Sequence, residues 1–177
     1  GSFNAVLAIR ELLKNASTGN HERYLLISGQ DLPVKRNQEI IQFFTGNRNN
    51  YIRGGSLDEL KQHQWRMRYF HLNSYNCGKL WNKLQVITQY KLGMLQDILG
   101  LSRKIPAKLY VGSAWFNLTR EAVMTCLDKM YDRKYINQFK CTKCADEIVI
   151  QSIMHNSRIM SSIIQDDLRY TDWSTVG

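Results

Sequence analysis

A chain of 177 residues, 44% of them hydrophobic, is of a size to bury one core, since domains run to about 100–200 residues. It holds no apolar run approaching the ~18 residues of a membrane-spanning helix. A net charge of +9 and a pI of about 9.5 favour an anionic partner: nucleic acid, acidic lipid headgroups or a phosphorylated small molecule. The basic residues, Arg36, Arg48, Arg53, Arg103 and Lys104 among them, are scattered and form none of the long blocks of a nucleic-acid-binding tail.

The opening GSFNAVLAIRELLKNAS is amphipathic and lacks signal-peptide organisation. Over residues 4–16, Val6, Ile9, Leu12, Leu13 and Ala16 recur at helical spacing, and the polar STGNH ends that helix. RYLLISG is a short apolar run stopped by Gly29, which fits a buried strand of the parallel-sheet kind. Pro33 then sits just inside a second helix, with Ile40, Ile41, Phe43 and Phe44 as its apolar face. Residues 46–60, GNRNNYIRGGSLDEL, are polar and glycine-containing and read as a surface loop. WRMRYFHLN alternates aromatic and basic residues like a half-exposed strand, and KLWNKLQVITQYKLGMLQDILGL reads as a helix with Gly93 as its point of interruption. AKLYVGSAWFNLT is a second strand, after which Thr119 and Glu121 start the helix REAVMTCLDKMYDRK. The last helix falls within residues 145–165, and RYTDWSTVG reads as the start of another strand. This succession predicts an α/β fold, with residues 1–177 as a single domain without repeats.

Four stretches carry residues able to do chemistry. In CTKC, Cys141 and Cys144 are spaced like half a zinc site, but a structural zinc needs four ligands. Cys77 and Cys126 stand alone, and His21, His63, His71 and His155 have no paired spacing, so two thiols around a turn is the simpler account. SGQDLP follows the first strand, where open α/β sheets bind ligands; Gln30 and Asp31 are placed to hold a sugar hydroxyl or a nucleotide. Asp31 as a cap on the next helix accounts for it equally well. In GSAWFNLTRE, Gly112 and Ser113 allow a substrate close to the backbone and Trp115 offers a face to a sugar, unless these residues are core packing. Asp146 and Glu147 open an apolar helix, where the dipole favours acids. A catalytic base also suits such a loop-to-helix junction over a cleft.

Taken in order, YLLISGQDLPVKRNQEIIQFF, GSAWFNLTREAV, CADEIVIQSIMHNS and LRYTDWS resemble the core-2/I-branching family of glycosyltransferases, which includes the protein xylosyltransferases. The set covers nearly the whole chain and is similar in particular to β-1,6-N-acetylglucosaminyltransferase-like members of bacterial type. The resemblance implies a GT-A-like nucleotide-sugar transferase fold, with a mixed, mostly parallel sheet flanked by helices. It implies an inverting reaction that moves N-acetylglucosamine from UDP-GlcNAc onto a glycan hydroxyl in a β linkage. Glu147 matches the family's general base, with Asp146 in support; a single base in line with the attacking hydroxyl suffices for inversion. Gln30 and Asp31 match the donor-side segment. Trp65, Arg66 and Arg68 match a region facing the acceptor, and Ser113 and Trp115 match the strand beside the base on that same side. The sequence contains no Asp-x-Asp pair, in keeping with a family that needs no metal and offsets the charge of the departing UDP with Arg and Lys. The partners implied are a UDP-sugar donor and a glycan acceptor, with no cofactor, no nucleic acid and peripheral association with a membrane.

The family's N-terminal uridine-pocket strands and its basic segment after DWS have no counterpart here, so the chain is expected to be the central part of a longer catalytic domain. Sparse cysteines point to a reducing compartment, that is, to a bacterial relative in the cytoplasm at the membrane face; a eukaryotic member would work in the Golgi lumen. Two other readings stay open. One is a carbohydrate- or nucleotide-binding module that keeps the cleft without catalysis, and the other is a basic nucleic-acid-binding domain.

Overall fold

Helix α1 (Phe3–Ser17) turns Val6, Ile9 and Leu13 inward, a narrower stripe than the sequence pattern suggests, because Leu12 is exposed. The computed structural model describes residues 2–71, 88, 91–105 and 108–172. After α1 come β1 (Arg23–Leu25), α2 (Asn37–Phe44), β2 (Asn50–Ser56), the single turn α3 (Trp65–Arg68) and helical residues 91–98, here α4. Then follow β3 (Tyr110–Thr119), α5 (Arg120–Tyr131), α6 (Arg133–Asn137), α7 (Val149–His155) and β4 (Ile163–Ile164). The four strands form one sheet in the order β1-β3-β2-β4. α5 and α7 pack against β3, and α1 packs against α5. This is a mixed α/β arrangement with a sheet flanked by helices, consistent with part of a GT-A-like fold.

The strand directions differ from the mostly parallel sheet anticipated. β3 pairs antiparallel with both β1 and β2, and only β2 and β4 run parallel. The apolar run in RYLLISG does not specify direction: only Tyr24 of β1 is buried and Leu25 is exposed, as suits an edge strand.

The larger correction is β2, a central strand where a loop was expected. Its polar lead residue is not solvated. Asn50 is buried, accepts Thr119 N at Oδ1 (2.8 Å) and donates from Nδ2 to Ser162 Oγ (2.8 Å). Satisfied in this way, a buried amide behaves as part of the core, and Tyr51 and Ile52 follow it inside.

Three further boundaries moved. Pro33 lies ahead of α2, which starts at Asn37 because Glu39 Oε2 reaches back to Arg36 N (3.1 Å). WRMRYFHLN is not a strand over its described residues: Met67 N and Arg68 N both bond Gln64 O (3.1 and 3.0 Å), closing a helical turn with Met67 buried. Asp132 breaks the helix expected to run to Lys134, its Oδ1 accepting Lys134 N and Tyr135 N to cap α6. Thr119 does cap α5, accepting Ala122 N at 3.3 Å. Much of the helix expected over residues 79–101 lies outside the described residues. Gly93 does not interrupt its described part, which ends instead at Gly100 (φ +64). Residues 169–172 form no strand, and 173–177 lie outside the described residues.

Gly112 is required by the approach of β2, not by that of a substrate. A Cβ there would overlap Arg53 O and Gly54 Cα, both backbone. Gly112→Ala should therefore destabilise by ~3 kcal/mol or more, lowering Tm by roughly 6–12 °C in a thermal melt followed by circular dichroism.

Candidate active site

Cys144 adopts a left-handed conformation (φ 52) and turns the chain into a single 3-10 turn, Ala145–Glu147, ahead of α7. Ala145 is buried, so the turn seats itself on the core and leaves the Glu147 side chain 34% exposed. Arg66 of α3 donates from Nη1 to Glu147 Oε2 at 2.5 Å, with its own side chain 17% exposed. Lys143 N bonds Arg66 O (3.2 Å) and Thr142 Oγ1 reaches Met67 Sδ (3.2 Å), fixing α3 to the CTKC turn. Among the described residues Arg66 Nε and Asp146 Oδ1 are buried without hydrogen-bond partners. Burial raises the Asp146 carboxyl above its ordinary range, with the Glu147 charge adding to the effect.

A second constellation sits where β2 and β3 change register. Ile52 pairs with Phe116 and Gly54 with Gly112, so Ser113, Ala114 and Trp115 face the single residue Arg53. A bulge of this kind frees backbone groups from the ladder and re-aims side chains. Side chains meet the freed groups. Gln151 of α7, fully buried, donates from Nε2 to Ser113 O (2.8 Å) and Arg53 O (3.1 Å). Gln165 Oε1 accepts Gly54 N (2.9 Å), and Ser113 Oγ accepts Trp115 N (3.2 Å). His155 closes the network: Nδ1 is 2.9 Å from Gln151 O and Nε2 is 3.1 Å from Gln165 Nε2. A carbonyl only accepts, so Nδ1 carries the proton and Nε2 accepts from the amide.

The loop after Gln165 completes the arrangement. Asp167 is buried and paired with Arg53 (3.4 Å). Leu168 is left-handed (φ 54). Arg169 donates from Nη2 to Asp31 Oδ1 at 2.7 Å, and its guanidinium lies 3.8 Å from the centroid of the Trp115 ring. Asp31 Oδ2 also accepts Ser28 N (2.7 Å). That backbone bond, with Arg169 nearby, holds the Asp31 carboxyl below the ordinary range.

Asp31 thus does not cap α2; it folds the 28–31 turn and ties it to Arg169. Glu147, Asp146 and Arg66 come together. Ser113 and Trp115 sit in the bulge, and Gln151 joins Ser113 to the helix that follows Glu147. Gln30 is exposed, with its backbone N–H on Ser28 Oγ (3.2 Å). Trp65 lies against His71, ring centroids 5.3 Å apart, under the Lys143 ammonium. Arg68, grouped with Arg66 on the sequence, turns away to Asp97 at 3.1 Å. A helical turn separates the two directions. Cys141 (φ 58) and Cys144 flank a turn, Cys77 lies outside the described residues, and burial pushes the Cys126 thiol up to about 12. Among the described residues no group of three or more His, Cys, Asp or Glu is assembled to hold a metal, and no helix is long and apolar enough to cross a membrane.

Gln151, Arg53, Asp167 and Arg169 were not singled out on the sequence. A signal for two of them was there. Gln151 is a long polar residue inside the apolar run IVIQSIM, and Arg169 belongs to LRYTDWS.

These features belong to a sugar-transferase lineage by sequence comparison: the chain is a member of the Core-2/I-Branching enzyme family, whose model matches residues 1–177. It is similar to xylosyltransferase 2 of Mus musculus (26% identical over 158 residues), Rattus norvegicus (27% over 160) and Homo sapiens (25% over 158). The matches take in 85% of this chain and 16% of the length of those relatives.

The perturbed carboxyls of this region, Asp31 and Asp146, titrate with opposite sign. Asp31, depressed in the folded state, contributes stability that is present above the ordinary Asp range and lost as pH falls through its folded value. The Tm deficit of Asp31→Asn should therefore be full at pH 7 and disappear on acidification. Asp146 is raised, so the folded state loses stability as pH rises from the ordinary Asp range through the raised value. Asp146→Asn should melt above the wild type at pH 7 and lose that advantage near pH 3, both variants being followed by calorimetry across this range.

Proposed function

We propose that the chain belongs to an inverting glycosyltransferase that moves a sugar from a UDP-sugar, first of all N-acetylglucosamine, onto a glycan hydroxyl in a β linkage. Family membership supports transfer as the reaction class. The observation that carries the assignment is the setting of Glu147. One carboxylate oxygen is held by a half-buried arginine, and the other takes no hydrogen bond from the described residues while the side chain stays open to solvent.

In this reading Glu147 accepts the proton of the acceptor hydroxyl as that oxygen attacks the anomeric carbon. The bond from this carbon to the UDP oxygen breaks, and UDP departs with the electron pair. In-line displacement needs one base on the acceptor side, so a single exposed carboxylate is enough, whereas a retaining mechanism would call for a second carboxylate as nucleophile. Arg66 fixes the direction of the base, which matters because small misplacements of a reacting group are expensive in rate. Asp146 backs the turn from its half-buried position. The charge on UDP is met by basic side chains and no metal takes part, a reading supported by the lack of an Asp-x-Asp pair in this sequence. The name of the relatives makes UDP-xylose the second donor to try.

In the complete protein, Glu147→Gln should lower kcat by ~10²–10⁴-fold and leave the calorimetric affinity for the UDP-sugar unchanged, while wild-type transfer persists in EDTA. Undiminished turnover by the variant would remove Glu147 from the role.

A further inference from the structure

We propose that Arg169 is a positioning residue for Trp115, covering one face of the indole so that a sugar ring of the acceptor meets only the other; this rests on the glycosyl-transfer reading above. Three independent restraints converge on this guanidinium. It lies 3.8 Å from the ring centroid, whereas the other cation–ring pairs among the described residues range from 4.5 to 5.8 Å. Asp31 of the 28–31 turn holds it at 2.7 Å. Its backbone is set by a left-handed Leu168, with Asp166 Oδ1 accepting Leu168 N (2.8 Å) and Asp167 Oδ1 accepting Arg169 N (3.4 Å).

A left-handed non-glycine residue is an unfavourable conformation that surrounding contacts must hold. Here those contacts run through Asp167, buried and paired with Arg53. The strain and the buried pair serve to aim one side chain at one ring. Trp115 itself stands in the segment that the bulge displaces from the ladder. Without the guanidinium the half-buried indole would lose its contact on that face and gain freedom to turn. With it, a pyranose whose C–H face packs on the indole has a single approach, fixed relative to the 28–31 turn. An ammonium would keep the charge but could not lie flat on the ring.

The test uses the complete protein, UDP-GlcNAc as donor and methyl β-galactopyranoside as acceptor probe. Arg169→Met should raise the acceptor KM about tenfold, with kcat and UDP-GlcNAc affinity held within about twofold, and Arg169→Lys should recover less than half of the loss. With 5-fluorotryptophan incorporated, the resonance that Trp115→Phe removes should shift in Arg169→Met. Should the methionine variant not fold, Arg169→Lys alone decides, a raised acceptor KM supporting the proposal and an unchanged one overturning it. An unchanged KM, a loss confined to kcat, or full recovery by lysine overturns the proposal. A wild type that transfers from no UDP-sugar overturns the function proposed above instead, and the resonance then decides alone. A shift on adding methyl β-galactopyranoside that Arg169→Met abolishes supports Arg169, and no shift in the wild type overturns it.

Discussion

Where three residues of β3 face one of β2, the sheet cannot complete its own ladder, and the placement of the site follows from how those backbone groups are met. A buried carbonyl or N–H left unpaired costs about 1–3 kcal/mol, so the interruption persists only with side chains to replace the missing strand partners. Gln151 does this for two carbonyls and Gln165 for one N–H. The first lies in the helix that follows Glu147 and the second at the head of the loop that carries Arg169. By meeting the needs of the backbone, the two glutamines set the positions of both halves of the candidate site. Gly54 provides the room: a Cβ there would stand 2.6 Å from Gln151 Oε1.

Charge is arranged along the same frame. Arg66–Glu147, Arg53–Asp167 and Arg169–Asp31 each join segments distant in sequence. Exposed ion pairs contribute only about 0–1 kcal/mol, and partly buried ones give back much of their Coulombic gain in desolvation. Their stronger effect is on geometry, since a planar guanidinium accepts few orientations against a carboxylate. Some of the basic surplus seen in the composition is thereby committed to orienting carboxylates.

The sequence was most legible where one physical signal acted alone. Thr119 before a helix with Glu121 in its first turn led correctly to α5, and the apolar run after Leu109 led to β3. The structure brings the pair Asp146–Glu147 to the loop-to-helix junction read from the sequence, with an arginine upon it. The signal failed where a tertiary contact reversed the usual meaning of a residue. Asn50 looked like loop material because its partners, Thr119 and Ser162, are remote in the chain. Gly112 looked like access for a substrate because the crossing backbone of Arg53 is invisible in sequence. Arg66 and Arg68 looked equivalent at a spacing of two, and a turn of helix sends one to Glu147 and the other to Asp97. The bulge itself leaves no local trace, since it depends on which residue of β2 stands opposite.

Asn117 brings this architecture to bear on a different process. With Thr119 it forms an Asn-Leu-Thr acceptor for N-linked glycosylation. Both residues are already engaged: the Asn117 amide donates to Asp167 O (3.1 Å) from a buried position, and the Thr119 hydroxyl caps α5. A glycosylating enzyme needs that amide free and accessible. In any compartment that modifies such sequons, a glycan at Asn117 would have to be attached before β3 joins its neighbours, and the finished sheet could not close over it. Occupancy of this site would mark chains that folded too slowly, making it an indicator of folding order and not a feature of the mature surface.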